Sequence, residues 1–89
     1  MVNDKLVSNV LKYTAVFEPA EEGGYVVSVP ALPGCTTQGE TFEEATEMIK
    51  DAISGYLGVL EEENLLIPTE KEEAVVTKVS VEYPYQIAY

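Results

Sequence analysis

The 89-residue sequence has no histidine, no arginine and only one cysteine, Cys35. A zinc site made from histidine and cysteine therefore lacks ligands within one subunit, and neither a Ser-His-Asp triad nor a Cys-His dyad can form. A single cysteine also excludes an internal disulfide, so we expect a reducing, cytoplasmic environment. The sequence contains no apolar run of about 18 residues, the length that a membrane-spanning helix needs. These absences argue against most hydrolase mechanisms and against a membrane protein.

Acidic side chains dominate the charge, because 16 aspartates and glutamates stand against 5 lysines and give a net charge of −11. Such a field repels phosphate backbones and anionic lipids, so we predict no direct contact with nucleic acid or membrane. It would attract a basic protein, although an acidic surface that only maintains solubility explains the composition equally well. The carboxylates fall at predicted exposed positions, which indicates no catalytic site, no metal site and no cofactor.

Length and composition predict one small domain. Hydrophobic residues make up 46% of the chain and charged residues 24%, which is typical of folded domains. A chain of this length supports a single modest core. We therefore assign residues 1–89 to one domain, with a core over about residues 10–82 and a tyrosine-rich tail over 83–89.

Three short strands are predicted in the first half of the chain. Residues 10–17 are rich in β-branched and aromatic types, and residues 25–29 repeat this character. The polar stretch between them ends in Gly23 and Gly24, which can take positive φ and therefore predict a β-hairpin. Residues 35–38 can form a third strand.

A long helix is the clearest pattern in the sequence. Thr41 and Glu44 have the spacing of a capping box, which predicts a helix that begins at Phe42. Apolar residues then recur at steps of three and four, at Phe42, Ala45, Ile49, Ala52, Ile53, Tyr56, Leu57 and Leu60. We predict that the helix runs for about 20 residues and ends near Glu63 and Asn64.

The C-terminal region predicts one more strand and a flap. Residues 74–82 alternate between an apolar and a more polar side, as a half-buried strand does. We expect the tail over 83–89 to pack on its own domain, and a partner-facing tail is the alternative. Together the elements predict an α+β fold, a small antiparallel sheet with one long helix packed on one face, in the order β-β-β-α-β.

A series of short motifs resembles the HicB-type antitoxin family. The motifs are Gly24-Tyr25, Pro30, Leu32-Pro33-Gly34-Cys35, Thr37-Gln38-Gly39 and Glu43-Glu44-Ala45. Each motif alone is weak, but their order and spacing over about residues 10–70 are specific. The resemblance implies a stand-alone domain similar to the N-terminal domain of HicB, which is part of an RNase H fold.

The resemblance implies a function in toxin neutralisation. Similar domains cover the active site of a small basic ribonuclease toxin of the mRNA interferase type, so we expect occlusion and no enzymatic activity. An orphan homo-oligomeric module with an unidentified ligand and no toxin is the alternative. An enzyme of RNase H-like ancestry is a third reading and the weakest, because the three strands predicted first contain no acidic residue for a magnesium site.

Partner contacts are predicted at the hairpin and at the bend after the second strand, namely Glu21, Glu22, Tyr25, Pro30, Leu32 and Pro33. A proline-bracketed bend with an exposed leucine would form a rigid protrusion, and the two glutamates would supply charge. The alternative is a bend that only closes the sheet onto the helix. Unpaired sheet edges favour pairing across a two-fold axis, so we also predict a homodimer or a small even-numbered oligomer.

Overall fold

Residues 10–70 and 75–86 are described by a computed structural model of the chain. Within these ranges the elements are β1 (Val16–Pro19), β2 (Tyr25–Ser28), β3 (Thr36–Gly39) and α1 (Phe42–Glu62). The strands form one antiparallel sheet in the order β1-β2-β3. The α+β class, the single long helix and the order β-β-β-α are therefore confirmed. The assignment of one domain to residues 1–89 stays a prediction, since residues 1–9, 71–74 and 87–89 lie outside the described ranges.

β1 begins later than the strand predicted over residues 10–17. It pairs with β2 in the register that places Val16 opposite Ser28. Pro30 offers no backbone amide and ends the pairing of β2, so residues before Val16 have no strand to pair with there. The shift brings Glu18 into β1, and the prediction of three strands without acidic residues is therefore wrong. The Glu18 side chain is exposed.

The predicted hairpin is confirmed, and its turn runs through residues 20–24. The Ala20 amide donates to the Gly24 carbonyl oxygen at 2.9 Å, and φ is 100° at Gly23 and 76° at Gly24. Residues with a Cβ rarely adopt these angles. A Cβ on Gly24 would also lie 2.4 Å from the Gly39 carbonyl oxygen. Glycine is therefore required at position 24 both for its φ and for the close approach of β3.

The core lies between α1 and the inner face of the sheet. Its buried apolar residues are Val27, Val29, Leu32, Cys35, Ala45 and Ile49. Alternation along β2 points Val27 to this face, and the buried Val29 follows directly after the strand. Ala45 and Ile49 stand one helical turn apart on α1. A Cβ on Gly39 would lie 2.4 Å from the Ala45 backbone nitrogen. The absence of a side chain at Gly39 therefore lets the helix pack directly against β3.

The helix has the predicted bounds and caps. The Thr41 hydroxyl oxygen accepts from the Glu44 amide at 3.0 Å, and the Glu44 carboxylate accepts from the Glu40 amide at 2.5 Å. Asn64 has a φ of 59°, the left-handed conformation that commonly follows a helix end. No helix in the described part of the chain is long and apolar enough to cross a membrane.

The predicted final strand over residues 74–82 is not paired with the sheet. Residues 75–86 form no strand and are exposed throughout, and residue 74 lies outside the described ranges. Tyr83 and Tyr85 are 73% and 69% exposed, so the expectation that the tail packs on its own domain is wrong for residues 83–86. The alternating pattern is real, but within one chain this segment does not lie on the edge of the sheet.

Candidate functional site

The bend after β2 belongs to the core and does not form the predicted exposed protrusion. Leu32 is fully buried, so its assignment as an exposed contact residue is wrong. Its amide donates to the Val29 carbonyl oxygen at 3.0 Å, and the Tyr56 hydroxyl donates to the Pro33 carbonyl oxygen at 2.9 Å. Pro30 and Pro33 are themselves exposed. The bend therefore closes the sheet onto the helix, as the alternative interpretation held.

The predicted hairpin residues lie on a different surface, which we call the acidic cleft. It encloses about 640 Å³ and is lined by Ala20, Glu21, Glu22, Gly23, Tyr25, Val26, Gln38, Gly39, Glu40, Glu44 and Met48. Four of these residues are glutamates and none is basic. The structure thus brings Glu21, Glu22 and Tyr25 together, and it separates them from the proline bend.

Strand register and the helix start position the carboxylates of the acidic cleft. Tyr25 pairs with Gly39 across β2 and β3, which places Glu40 beside the hairpin turn. Glu44 lies in the first turn of α1, where the partial positive charge of the helix N-terminus favours negative side chains. Because its carboxylate already accepts from the Glu40 amide, Glu44 is held in place. Glu21, Glu22 and Glu40 are exposed and can face a partner.

Tyr25 forms a rigid wall of the acidic cleft. Its ring packs edge-on against Phe17 and Phe42, with centroids 6.4 Å and 6.0 Å away and interplanar angles of 81° and 83°. Perpendicular contacts of this kind are favourable and hold the ring orientation. The site therefore combines exposed negative charge with an aromatic side chain of fixed direction.

The chemistry of the site supports recognition through charge and shape. In the ranges that the structure covers, no group of three or more potential ligands is placed to hold a metal ion. Cys35 is buried, and this burial raises the pKa of its thiol above the usual range. A buried thiol in its protonated form is a poor nucleophile. Cys35 is therefore not placed to act as a nucleophile.

Glu40, Glu44, Gln38 and Met48 were missed as members of the site. In the sequence, the capping box fully accounts for Glu44 and gives no sign that this residue also lines a cleft. The signal that could have found Glu40 was the predicted hairpin followed by a strand ending at Gly39. Antiparallel pairing of these strands brings the residue after Gly39 next to the hairpin turn.

Comparison with protein families agrees with this architecture. The family model described as the HicB-like antitoxin of bacterial toxin-antitoxin systems matches residues 13–87. The chain belongs to the HicB-like antitoxin family. The resemblance that the motifs indicated over about residues 10–70 is therefore confirmed. The family match also extends beyond it, through residues 75–86, which are exposed and form no strand.

Relatives of two kinds match the chain. A UPF0150 protein of Thermoplasma acidophilum is 48% identical over 65 residues, which cover 73% of this chain and 94% of that protein. The protein named Antitoxin HicB of Escherichia coli K12 is 45% identical over 58 residues, or 65% of this chain and 42% of the relative. Antitoxin HicB 1 of Photorhabdus laumondii is 47% identical over 58 residues, or 37% of its length. The match thus spans nearly all of the UPF0150 protein but less than half of the named antitoxins.

Proposed function

We propose that this HicB-like chain neutralises a small basic ribonuclease toxin by covering its active site. The acidic cleft provides the contact surface, and Glu21, Glu22 and Glu40 face the toxin. A ribonuclease must bind a phosphate backbone, so its active site carries positive charge. A surface with four carboxylates and no cation is complementary to such a site.

The observation that carries the proposal is the presence of four glutamates and no lysine on one concave surface. Four of the 16 acidic residues of the chain line this surface, and the other lining residues carry no charge. Exposed ion pairs contribute little individually, but their combined field accelerates encounter with a basic partner and selects against acidic ones. The mechanism is occlusion, since no group in the cleft is required to react.

A second candidate function is an orphan homo-oligomeric module with no toxin partner. It is favoured by the near-complete overlap with the UPF0150 protein of Thermoplasma acidophilum, whose name states no activity. The named antitoxins are matched over less than half their length. In this case the acidic cleft would bind a different basic ligand or would only maintain solubility.

The test is a capture experiment followed by an inhibition assay. The tagged full chain is incubated with extract of its native cells at low and moderate salt, and co-purifying proteins are identified by mass spectrometry. We expect a small basic protein, which is then purified and assayed on RNA. The chain should suppress its ribonuclease activity at equimolar ratio. Recovery of only the chain itself would favour the orphan module.

Matched variants test the role of the cleft. E21Q/E22Q/E40Q removes three negative charges from the acidic cleft, and E61Q/E62Q/E63Q removes three from the opposite end of the helix, where the residues are exposed. We expect inhibition to weaken at least tenfold with the first variant and less than twofold with the second. Equal losses would show that net charge matters and that the cleft does not.

A further inference from the structure

Residues 75–86 have the pattern of a strand with one apolar face, although nothing in the described chain covers them. The odd-numbered positions hold Val75, Thr77, Val79, Val81, Tyr83 and Tyr85, and the even-numbered positions are mostly polar. A period of two is typical of a half-buried strand. Val75, Val79 and Val81 are nevertheless 86%, 83% and 82% exposed. One face of this segment therefore requires a partner surface.

A surface of matching character lies between β1 and α1, and we call it the apolar groove. It encloses about 740 Å³ and is lined by Leu11, Lys12, Tyr13, Ala15, Phe17, Phe42, Thr46, Ile49, Lys50, Ile53, Ser54 and Leu57. The groove exists because α1 packs mainly over β3 and β2. β1 is also an edge strand of the described sheet, so its outer backbone groups have no strand partner there.

The chain after the helix is fastened at one end of this groove. The Glu70 carboxylate accepts from the Thr14 amide at 2.9 Å and from the Thr14 hydroxyl at 2.8 Å. The Tyr13 hydroxyl donates to the Pro68 carbonyl oxygen. A segment that starts here could reach its own β1 edge, yet residues 75–86 stay exposed and form no strand. The single chain thus leaves both its groove and its valine-rich segment uncovered.

The chain is more elongated than a compact domain of the same length. The principal extents are 70 × 29 × 21 Å and the radius of gyration is 18.1 Å, whereas a compact chain of this length would have a radius of gyration of about 12 Å. Residues 75–86 are exposed throughout, and the exchange of an uncovered segment between identical chains is a common route to dimers.

Charge favours a second copy of this chain as the partner. The lining of the apolar groove contains Lys12 and Lys50 and no carboxylate, although the net charge of the chain is −11. Two copies can therefore meet at this groove without placing carboxylates against one another. The acidic cleft cannot serve as a self-association surface, because its like charges would face each other.

We propose that residues 75–86 of one copy pair with the β1 edge of a second copy as a fourth strand, and that the exchange is reciprocal. The odd-numbered side chains enter the apolar groove of the second copy. The backbone of the segment forms hydrogen bonds with the outer N–H and C=O groups of β1. A reciprocal exchange has two-fold symmetry and closes at a dimer. The inference goes beyond the proposed function and does not depend on a toxin.

The test is sedimentation velocity of the full chain at micromolar concentrations, with paired variants. V79E/V81E adds two charges to the apolar face of the segment, and S80E/Q86E adds two charges to its opposite face. We expect dimers for the native chain and for S80E/Q86E, and monomers for V79E/V81E. S80E/Q86E should keep the native circular dichroism spectrum, and V79E/V81E should keep its helical component, because these residues do not contact the core of their own chain. A monomeric native chain, or a V79E/V81E dimer, would overturn the proposal.

Amide hydrogen exchange distinguishes strand exchange from a segment that folds back on its own chain. We expect protection of amides in residues 75–83 to rise as the chain is concentrated through its dimerisation range. Protection that is present at every concentration would assign the segment to its own β1 edge and would contradict the exchange. Absence of protection at concentrations where the chain is dimeric would also contradict it.

Discussion

The acidic cleft and the apolar groove share one small core but have opposite surface chemistry. The cleft, at the hairpin and the start of α1, contains four glutamates and no lysine. The groove, between β1 and α1, contains two lysines, no carboxylate and a largely apolar lining. A net charge of −11 therefore does not describe the local chemistry of either surface. Our proposals place a basic protein at the cleft and a second copy of the chain at the groove.

The aromatic cluster of Phe17, Tyr25 and Phe42 separates the two surfaces. Tyr25 lines the acidic cleft, while Phe17 and Phe42 line the apolar groove, and the Phe17 and Phe42 ring centroids are 4.5 Å apart. The same three packed rings therefore form part of the lining of both the acidic cleft and the apolar groove. Variants in the core should damage the two surfaces together, and variants at each lining should damage one of them.

The largest effect is expected from Leu32→Ala, which should remove both surfaces. Leu32 is fully buried, and truncation of a buried leucine typically costs about 3 kcal/mol through lost burial and a residual cavity. The matched control is Leu66→Ala, at a position that is 93% exposed, where the cost should stay below about 0.5 kcal/mol. Urea unfolding measures both. Equal unfolding midpoints for the two variants would refute the position of Leu32 in the core.

Gly39→Ala should disturb the acidic cleft more than the apolar groove. The added Cβ would lie 2.4 Å from the Ala45 backbone nitrogen and 2.7 Å from its Cα, so the start of the helix must move away from β3. We expect a loss of about 2 kcal/mol in the free energy of unfolding. The control is Gly55→Ala, where a Cβ meets nothing within 4 Å and should stabilise the helix by about 0.5 kcal/mol. A neutral Gly39→Ala would contradict the tight packing.

Glu70→Gln should weaken the fastening of the chain beside the groove and leave the acidic cleft unchanged. The carboxylate accepts two hydrogen bonds from Thr14, and a carboxamide can keep only part of this arrangement. The expected loss is about 1 kcal/mol in the free energy of unfolding. Glu63→Gln is the control, because Glu63 is exposed and its side chain takes no part in the described hydrogen bonds. Identical stability for both variants would show that the Glu70 contact contributes nothing.

The smallest effect concerns the pH dependence of Tyr13 at the mouth of the groove. Desolvation by burial, with an added contribution from the negative charge of Glu70, raises the pKa of the Tyr13 phenol. The folded state therefore retains a proton that the unfolded state loses above about pH 10. The stabilisation that comes from the protonated Tyr13 phenol is therefore fully present below about pH 10, and it is lost as the pH rises through the raised pKa of the folded state. The free energies of unfolding of the native chain and of Tyr13→Phe, measured as a function of pH, should converge above about pH 10. A constant difference between them would contradict this prediction.

The sequence predicted most of the fold because its signals are local. The capping box, the glycine pair and the apolar period of α1 each depend on neighbouring residues, and each prediction was confirmed. Glu21, Glu22 and Tyr25 line one cleft, and their role in binding a partner stays a prediction. The error at Leu32 arose because prolines on both sides suggest a protrusion, whereas the direction of the bend depends on tertiary packing against α1.

The tail shows the limit of a local pattern. Alternation over residues 74–82 indicates that one face needs to be covered, but the pattern contains no information about which edge covers it or which chain supplies that edge. The same limit applies to Glu40, which joins the acidic cleft only through the register of β2 and β3. Self-association was predicted from unpaired edges, and it stays a prediction that the exchange proposal makes specific.

Native mass spectrometry of the chain mixed with the captured basic ribonuclease tests the assignment of two surfaces to two partners most directly. The native chain should form an assembly that contains two copies of the chain and the ribonuclease. V79E/V81E should bind the ribonuclease as a monomer. E21Q/E22Q/E40Q should form a dimer that binds the ribonuclease at least tenfold more weakly than the native chain does. If either variant loses both interactions while remaining folded, the two surfaces are not separate and the account is contradicted.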